Sequence, residues 1–182
     1  MAIICLDPGH GGIDPGAVYG SAYEKEIALN TSFFANHFLR KAGHSILMTR
    51  KKDIFVKLSS RVRIAEYQKA DLFISVHCNA NRNKKYHGMA VHVSKHPSMG
   101  DLNLASYMEK TMIQMFPDHS HRGIKKSNFQ VLTYTKMPSV MVETEFLSNK
   151  EGRKFLIKVQ NQKRLGRCIA DGAMRYIRHL AE

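Results

Sequence analysis

The chain has 182 residues, 43% of them hydrophobic, and carries a formal net charge of +13 at pH 7. That length is enough to bury one hydrophobic core, so we expect a single domain over residues 1–182. No apolar stretch approaches the roughly 18 residues that cross a bilayer, and the N-terminus lacks the basic leader of a secretory signal, which predicts synthesis in the cytoplasm without a signal peptide.

Short apolar, β-branched runs alternate along the chain with segments that have helical periodicity. Near-continuous apolar strands between helices favour an α/β fold, in which a twisted, mostly parallel sheet is covered by helices on both faces. In chain order the predicted elements are strand 2–7, helix 24–41, strand 44–49, helix 59–69, strands 71–77 and 88–94, helix 102–116, strands 129–133 and 139–145, and helix 161–180.

Three ionisable side chains stand at or just after the ends of predicted strands. His10 follows the first strand, His77 ends the strand 71–77, and Glu143 is near the end of 139–145. Ligands of open α/β sheets bind at the carboxyl ends of the strands, and burying ionisable groups is costly unless they are paired or bind a metal. The convergence therefore predicts a functional site at this edge of the sheet.

Two imidazoles, a carboxylate and an open fourth position make the usual catalytic zinc arrangement. Either Glu24 or Glu26, at the start of the first long helix, could supply the third ligand. Each residue also has a structural interpretation. His10 and His77 could be hydrogen-bonded core histidines, and Glu24 could simply favour the positive end of a helix.

The three cysteines are odd in number and lie far apart, so neither a disulfide framework nor a cysteine zinc site is indicated. We expect Cys5, Cys78 and Cys168 to be small core residues. His119 and His121, in the segment "DHSH", have the residue type of metal ligands, but we interpret the segment as a polar loop.

Five segments of the chain resemble one known family. The segments "LDPGHGGIDPGA", "YEKEIALN", "LSSRVRIA", "ADLFISVHCNA" and "MPSVMVETEFLSN" stand in the order and spacing of the zinc-dependent N-acetylmuramoyl-L-alanine amidases of the third amidase family. The resemblance runs from residue 3 to about residue 177. It implies hydrolysis of the amide between the lactyl group of N-acetylmuramic acid and L-alanine in peptidoglycan, with one catalytic Zn²⁺.

Carried over by position, the resemblance implies His10, Glu24 and His77 as zinc ligands and Glu143 as the catalytic general base and acid. Where the family pattern has a glycine two residues after that glutamate, this chain has Glu145, which we expect at most to line the cleft or contact substrate. Two further residues belong to the matched motifs as candidate substrate contacts. We favour a turn-capping role for Asn79. We expect Arg61 to form an ion pair at the surface of a helix.

A protein this basic associates with polyanions. With the resemblance, we expect the partners to be peptidoglycan and, through the basic surface, anionic wall polymers. Because the amidase motifs use the whole chain, no separate wall-binding module is expected, and we expect a monomer. The chain would act on the bacterial wall as an endolysin released by lysis, or as a trimmed domain of an exported autolysin.

Two other functions remain open at this point. The same site could serve a different zinc amidohydrolase or carboxypeptidase. A basic nucleic-acid-binding module with a structural zinc is disfavoured, because no aromatic-rich basic strand is present and structural zinc takes four protein ligands where three can be named.

Overall fold

The computed structural model describes residues 1–181 and contains a six-stranded sheet, a two-stranded hairpin and helices on both faces of the sheet. The elements are β1 Ile3–Pro8, β2 Val18–Tyr19, β3 Ala22–Tyr23, α1 Glu24–Lys41, β4 Ser45–Met48, α2 Leu58–Tyr67, β5 Leu72–Asn79, β6 Met89–Ser94, α3 Met99–Met115, β7 His121–Ser127, α4 Gln130–Thr133, β8 Ser139–Phe146, α5 Lys150–Leu156 and α6 Val159–His179.

The six-stranded sheet has the order β4-β1-β5-β8-β6-β7. Neighbouring strands are parallel except for β6 and β8, which pair antiparallel. The predicted mostly parallel sheet is therefore confirmed. The carboxyl ends of β1, β5 and β8 meet at one edge, which we call the functional edge, and β6 begins at the same edge because it runs in the opposite direction.

The sheet buries apolar side chains on both faces, as strand periodicity requires. Along β1, Ile4 and Leu6 join the larger core cluster, which includes buried residues of α1, α3 and α6. Cys5 points to the opposite face, where it joins a smaller cluster with residues of α2 and α4. All three cysteines are buried and free, as expected. None of the helices within residues 1–181 is long and apolar enough to span a membrane.

One prediction for the second half of the sheet is wrong, and one strand there was not predicted. Segment 129–133 was predicted as a strand, but Gln130–Thr133 is a helix whose Val131 and Leu132 are buried in the smaller cluster. A short apolar run does not distinguish a strand from a buried helical turn by periodicity. The edge strand His121–Ser127 was missed because it carries basic and polar residues, which protect an exposed sheet edge from pairing with other chains.

Candidate metal centre

The loop after β1 presents His10 at the functional edge through an unusual backbone conformation. His10 has φ of +60°, a region that L residues seldom adopt. Gly9 precedes it because there is no room for a side chain: an added Cβ would overlap the imidazole ring of His77. The glycine thus allows the histidine of β5 to pack directly against the loop that carries the other histidine, with ring centroids 4.8 Å apart.

Glu24, the first residue of α1, lies between the two histidines. Its Oε1 is 3.1 Å from His10 Nε2 and 2.9 Å from His77 Nδ1. Backbone N–H groups hold the carboxylate in place, since Cys78 donates to Oε1 at 3.0 Å and Ala17 donates to Oε2 at 2.9 Å. The helix start and two strand ends therefore converge on one carboxylate.

The electrostatics of this group favour a bound cation. Burial would raise the pKa of Glu24, but hydrogen bonds and charge from His10 and His77 outweigh it and hold that pKa well below its usual range. For His10 the effects have the opposite sign. Burial lowers its pKa, but hydrogen bonds and charge from Glu24 and Asp14 outweigh burial and raise the pKa to about 9. A buried carboxylate flanked by two imidazoles thus favours positive charge at this position.

The donor set suits Zn²⁺. His10, Glu24 and His77 each offer one ligand atom, and these atoms lie within 4.8 Å of one another. Two imidazole nitrogens and a carboxylate oxygen leave a fourth position open, as in catalytic zinc sites. Glu26, the alternative at the helix start, is not part of this group. Among residues 1–181 no other group of three such side chains has this geometry.

Asp14, which was not predicted as a site residue, orients the first of these ligands. Its Oδ2 lies 2.8 Å from His10 Nδ1, so His10 Nε2 is left facing Glu24. Such carboxylate–histidine contacts fix the tautomer and orientation of metal-binding histidines. The spacing of four residues in "HGGID" is the signal that could have indicated it.

Glu143 stands beside His77 on the neighbouring strand and contributes to the lining of the cleft. The side chain is 8% exposed, and Oε2 has no hydrogen-bond partner within the described residues. Burial is the main reason that its pKa is raised to about 7, with the charge of Glu24 adding to the effect. A carboxylate with a free oxygen and a pKa near neutrality is suited to proton transfer.

Glu145 is not among the residues that line the cleft. Between Glu143 and Phe146 the register against β5 shifts by one residue, so a bulge interrupts the alternation of β8. The N–H groups of Gly88 and Phe146 donate to Glu145 Oε1, and His119 Nδ1 lies 3.2 Å from Oε2. Glu145 therefore joins β8 to the loops before β6 and β7.

Arg61 is buried, so the prediction of a surface ion pair is wrong. The side chain is 2% exposed and pairs with the equally buried Asp7, with 2.8 Å between Nη1 and Oδ1. The guanidinium also donates to the carbonyl oxygens of Pro8 and His10, each at 2.7 Å. These contacts connect α2 to the loop that presents His10.

Arg50, a second buried arginine that was not predicted as a site residue, holds the same loop from the other side. It donates to the carbonyl oxygens of Pro8 at 3.0 Å and of Gly9 at 2.7 Å, and to that of Lys25 in α1 at 2.7 Å. Arg50 and Arg61 together bind three consecutive carbonyl groups, which accounts for the stability of a strained backbone at His10.

The cleft above the candidate ligands has a volume of about 640 Å³. Its walls are largely apolar and include Phe55, Leu58 and Phe129, with Asn79 at the end of β5. Asn79 Oδ1 accepts from Ala80 N at 2.8 Å, in agreement with the favoured turn-capping role.

His119 and His121 are not part of the metal group. His121 begins β7, so the predicted loop ends before it, and its Nε2 lies 2.9 Å from the Phe116 carbonyl oxygen.

Comparison with known proteins gives consistent matches over this chain. A sequence model of the N-acetylmuramoyl-L-alanine amidase family matches residues 4–175. The chain is 30% identical to the N-acetylmuramoyl-L-alanine amidase AmiC of Neisseria meningitidis, with 96% of this chain and 52% of AmiC aligned. It is 32% identical to the amidase LytC of Bacillus subtilis, over 96% of this chain and 35% of LytC. The chain thus spans about half of one relative and about a third of the other.

Among solved structures, the catalytic domain of CwlV, an N-acetylmuramoyl-L-alanine amidase from Bacillus (Paenibacillus) polymyxa var. colistinus, superposes with a TM-score of 0.92. The two chains are 30% identical, and the match covers 98% of this chain and 99% of the CwlV domain. The fold and the sequence similarity therefore extend over the same residues.

Proposed function

The chain belongs to the Amidase_3 family of N-acetylmuramoyl-L-alanine amidases, and on that premise we propose that it hydrolyses the amide between the lactyl group of N-acetylmuramic acid and L-alanine in peptidoglycan. Its site of action is then the bacterial cell wall. The observation that carries the proposal is the group of His10, Glu24 and His77 beneath a cleft of about 640 Å³, with the carboxylate of Glu143 on the neighbouring strand lining the same cleft.

His10 Nε2, Glu24 and His77 Nδ1 would hold the metal ion. When bound, zinc would act as a Lewis acid that polarises the scissile carbonyl and lowers the pKa of a water molecule, so that the water can lose a proton and attack near neutral pH. The protein's contribution is a preformed set of ligands, because Asp14 orients His10 and two backbone N–H groups orient Glu24.

Glu143 performs the proton transfers. Its carboxylate, which lines the cleft, accepts a proton from the attacking water and then delivers that proton to the amine of L-alanine as the C–N bond breaks. A raised pKa supports both roles, because a carboxyl group that is too acidic would hold the proton too weakly to return it. No serine or cysteine nucleophile is needed.

Of the two candidate substrate contacts, Asn79 and Arg61, we propose that only Asn79 binds the substrate. Its Oδ1 accepts from Ala80, its amide nitrogen makes no hydrogen bond within the described residues, and the residue lines the cleft. This amide can donate to a carbonyl group of the stem peptide. Arg61 is excluded from this role because its guanidinium is committed to buried partners.

The bond cleaved is tested by mass spectrometry of purified sacculi digested by the zinc-loaded protein. We expect free amino termini of L-alanine and intact glycan strands, and the Glu143→Gln variant provides a control with strongly reduced turnover. New reducing sugar ends without free alanine would contradict the proposal, and cleavage elsewhere in the stem peptide would indicate a different zinc amidohydrolase.

A further inference from the structure

Two clefts distinct from the catalytic cleft lie side by side at the functional edge and share Lys85. One, of about 440 Å³, is lined by Lys85, Arg122 and Lys125. The other, of about 630 Å³, is lined by Lys84, Lys85 and Lys150, with Arg153. We call the four exposed lysines Lys84, Lys85, Lys125 and Lys150 the lysine rim.

The lysine rim has almost no negative charge of its own. Within residues 1–181 none of its four ammonium groups forms a salt bridge. The only carboxylate that lines either cleft, Glu151, already pairs with Lys154 at 2.9 Å. The positive charge of the rim is therefore uncompensated by the protein.

The two arginines of these clefts are held in place by aromatic rings. Arg122 lies over Tyr86 and Phe146, with 5.1 Å and 5.4 Å from its guanidinium carbon to the ring centroids. Arg153 lies 5.7 Å from the Tyr19 centroid. Each cleft thus has one fixed planar cation among flexible ammonium groups, which act as point charges without a preferred geometry.

From this arrangement we propose that the lysine rim binds an anionic wall polymer with repeating phosphodiester groups. The four exposed lysines are spread over two adjoining open clefts. This arrangement fits a polymer whose negative charges repeat along its length better than it fits a single carboxylate of fixed geometry. The inference deepens the proposed function, on which it rests for the location of the polymer at the cell wall.

The position of the rim gives the contact a functional consequence. Lys84 and Lys85 lie in the connection that follows β5, whose end carries His77, and Lys150 begins α5 just after β8. The rim and the candidate metal centre therefore share one edge of the sheet. A polymer held on the rim keeps this edge against the wall, so the catalytic cleft faces its substrate.

The test compares two variants that each lose four positive charges. The rim variant carries Lys→Gln at positions 84, 85, 125 and 150, and the control variant carries Lys→Gln at the exposed positions 41, 95, 136 and 163, which line neither cleft. Binding to synthetic poly(glycerol phosphate) is measured as a function of salt. The slope of log K against log salt concentration changes by roughly 0.7–0.9 for each phosphate contact. The rim variant, which lacks four such contacts, should therefore have a slope smaller in magnitude by about 3 and should bind at least about tenfold more weakly at low salt.

Equal weakening in both variants would overturn the proposal, since net charge alone would then govern binding. Wild-type protein should also bind whole walls at least about tenfold more tightly than walls stripped of phosphodiester polymer. Equal binding would point to stem-peptide carboxylates instead. Tighter binding to an oligothymidine of equal phosphate number would point to a nucleic acid.

The rim variant should cleave a soluble muramoyl-peptide fragment at the wild-type rate. Slower cleavage of that fragment would contradict the proposal, because cleavage of a soluble fragment does not depend on attachment to the wall. If wild type and variant both fail to cleave it, the proposed function fails, whereas the binding comparison with poly(glycerol phosphate) stands independently.

Discussion

Glu143 and Glu145 are separated by one residue on β8, yet their carboxylates have opposite surroundings. Glu143 lines the cleft with one buried oxygen that has no hydrogen-bond partner within the described residues, and its pKa is raised mainly by burial. For Glu145 burial also favours the neutral form, but His119 and two backbone N–H groups outweigh it and lower the pKa. One glutamate is thus available for proton transfer, and the other is a fully satisfied structural anion.

Replacing Glu143 by Gln should leave the fold and zinc content unchanged and lower the turnover rate by roughly 10² to 10⁴, the usual contribution of a general base. Glu145→Gln is the matched control. It should keep most of the activity and lose about 1–3 kcal/mol of stability, because buried N–H groups lose a charged acceptor. Turnover and thermal unfolding are measured for both, and an inactive but folded and zinc-loaded Glu145→Gln would contradict the assignment.

Arg61 acts through the backbone that carries His10. Arg61→Lys keeps the charge near Asp7 but cannot reproduce the contacts to Val56, Pro8 and His10 together. We expect zinc affinity to fall by about 10- to 100-fold, the range for residues that support metal ligands. Competition with a chromophoric chelator measures it. The control is the exposed Arg63→Lys on the same helix, and equal affinity in the two variants would refute the positioning role.

At the scale of secondary structure elements, the loop after β1 is the most constrained segment of the site. It leaves the strand at Pro8, places His10 at positive φ and then forms an isolated bridge between Gly11 and Asp14. Gly16, at φ +65°, lies at the end of this loop. A Cβ at that position would lie only 2.6 Å from His10 Cδ2, so the loop has no room for a side chain there. This loop uses glycine wherever a side chain would displace a candidate ligand.

Gly9→Ala tests that constraint directly. Gly9 is not at positive φ, so alanine there meets only the steric conflict with the His77 ring. We expect zinc binding to be lost or greatly weakened. Gly20→Ala, at φ +64° but with open space around the added Cβ, should cost about 1 kcal/mol of stability and leave zinc binding unchanged. Calorimetric titration with zinc separates the two, and normal zinc affinity in Gly9→Ala would show that His77 can move without consequence.

At the scale of the whole molecule, the candidate metal centre connects three parts of the chain that are distant in sequence. His10 follows β1, Glu24 begins α1 and His77 lies in β5, so an ion at this position would link two strands of the sheet to a helix on one face. Metal binding at this group would therefore be coupled to the stability of the domain.

Removal of the metal should lower the melting temperature and abolish activity reversibly. A ligand that binds only the folded state stabilises it by about 2.7 kcal/mol at a concentration of 100 times its Kd. Calorimetry with and without a chelator, followed by zinc addition, measures the effect. His77→Ala should have the same melting temperature in both conditions, and a chelator-dependent shift that persists in this variant would remove His77 from the metal site.

The sequence by itself predicted the alternation of strands and helices and the meeting of His10, His77 and Glu143 at one edge, whereas the choice of Glu24 over Glu26 came from the family resemblance. Periodicity identifies buried strands, and parallel strands deliver their carboxyl ends to the same side. The boundaries of α1 were also predictable, since Gly43, φ +87°, follows its last turn.

Only the tertiary structure decided which polar residues support the site. Arg61 reaches the carbonyl of His10 across 51 positions of sequence, and Glu145 turns to His119 because a bulge interrupts β8. Local patterns record whether a residue suits a helix or a strand. They do not record which distant backbone groups will need a partner once buried, and in this protein that need determines the positions of Arg61 and Glu145.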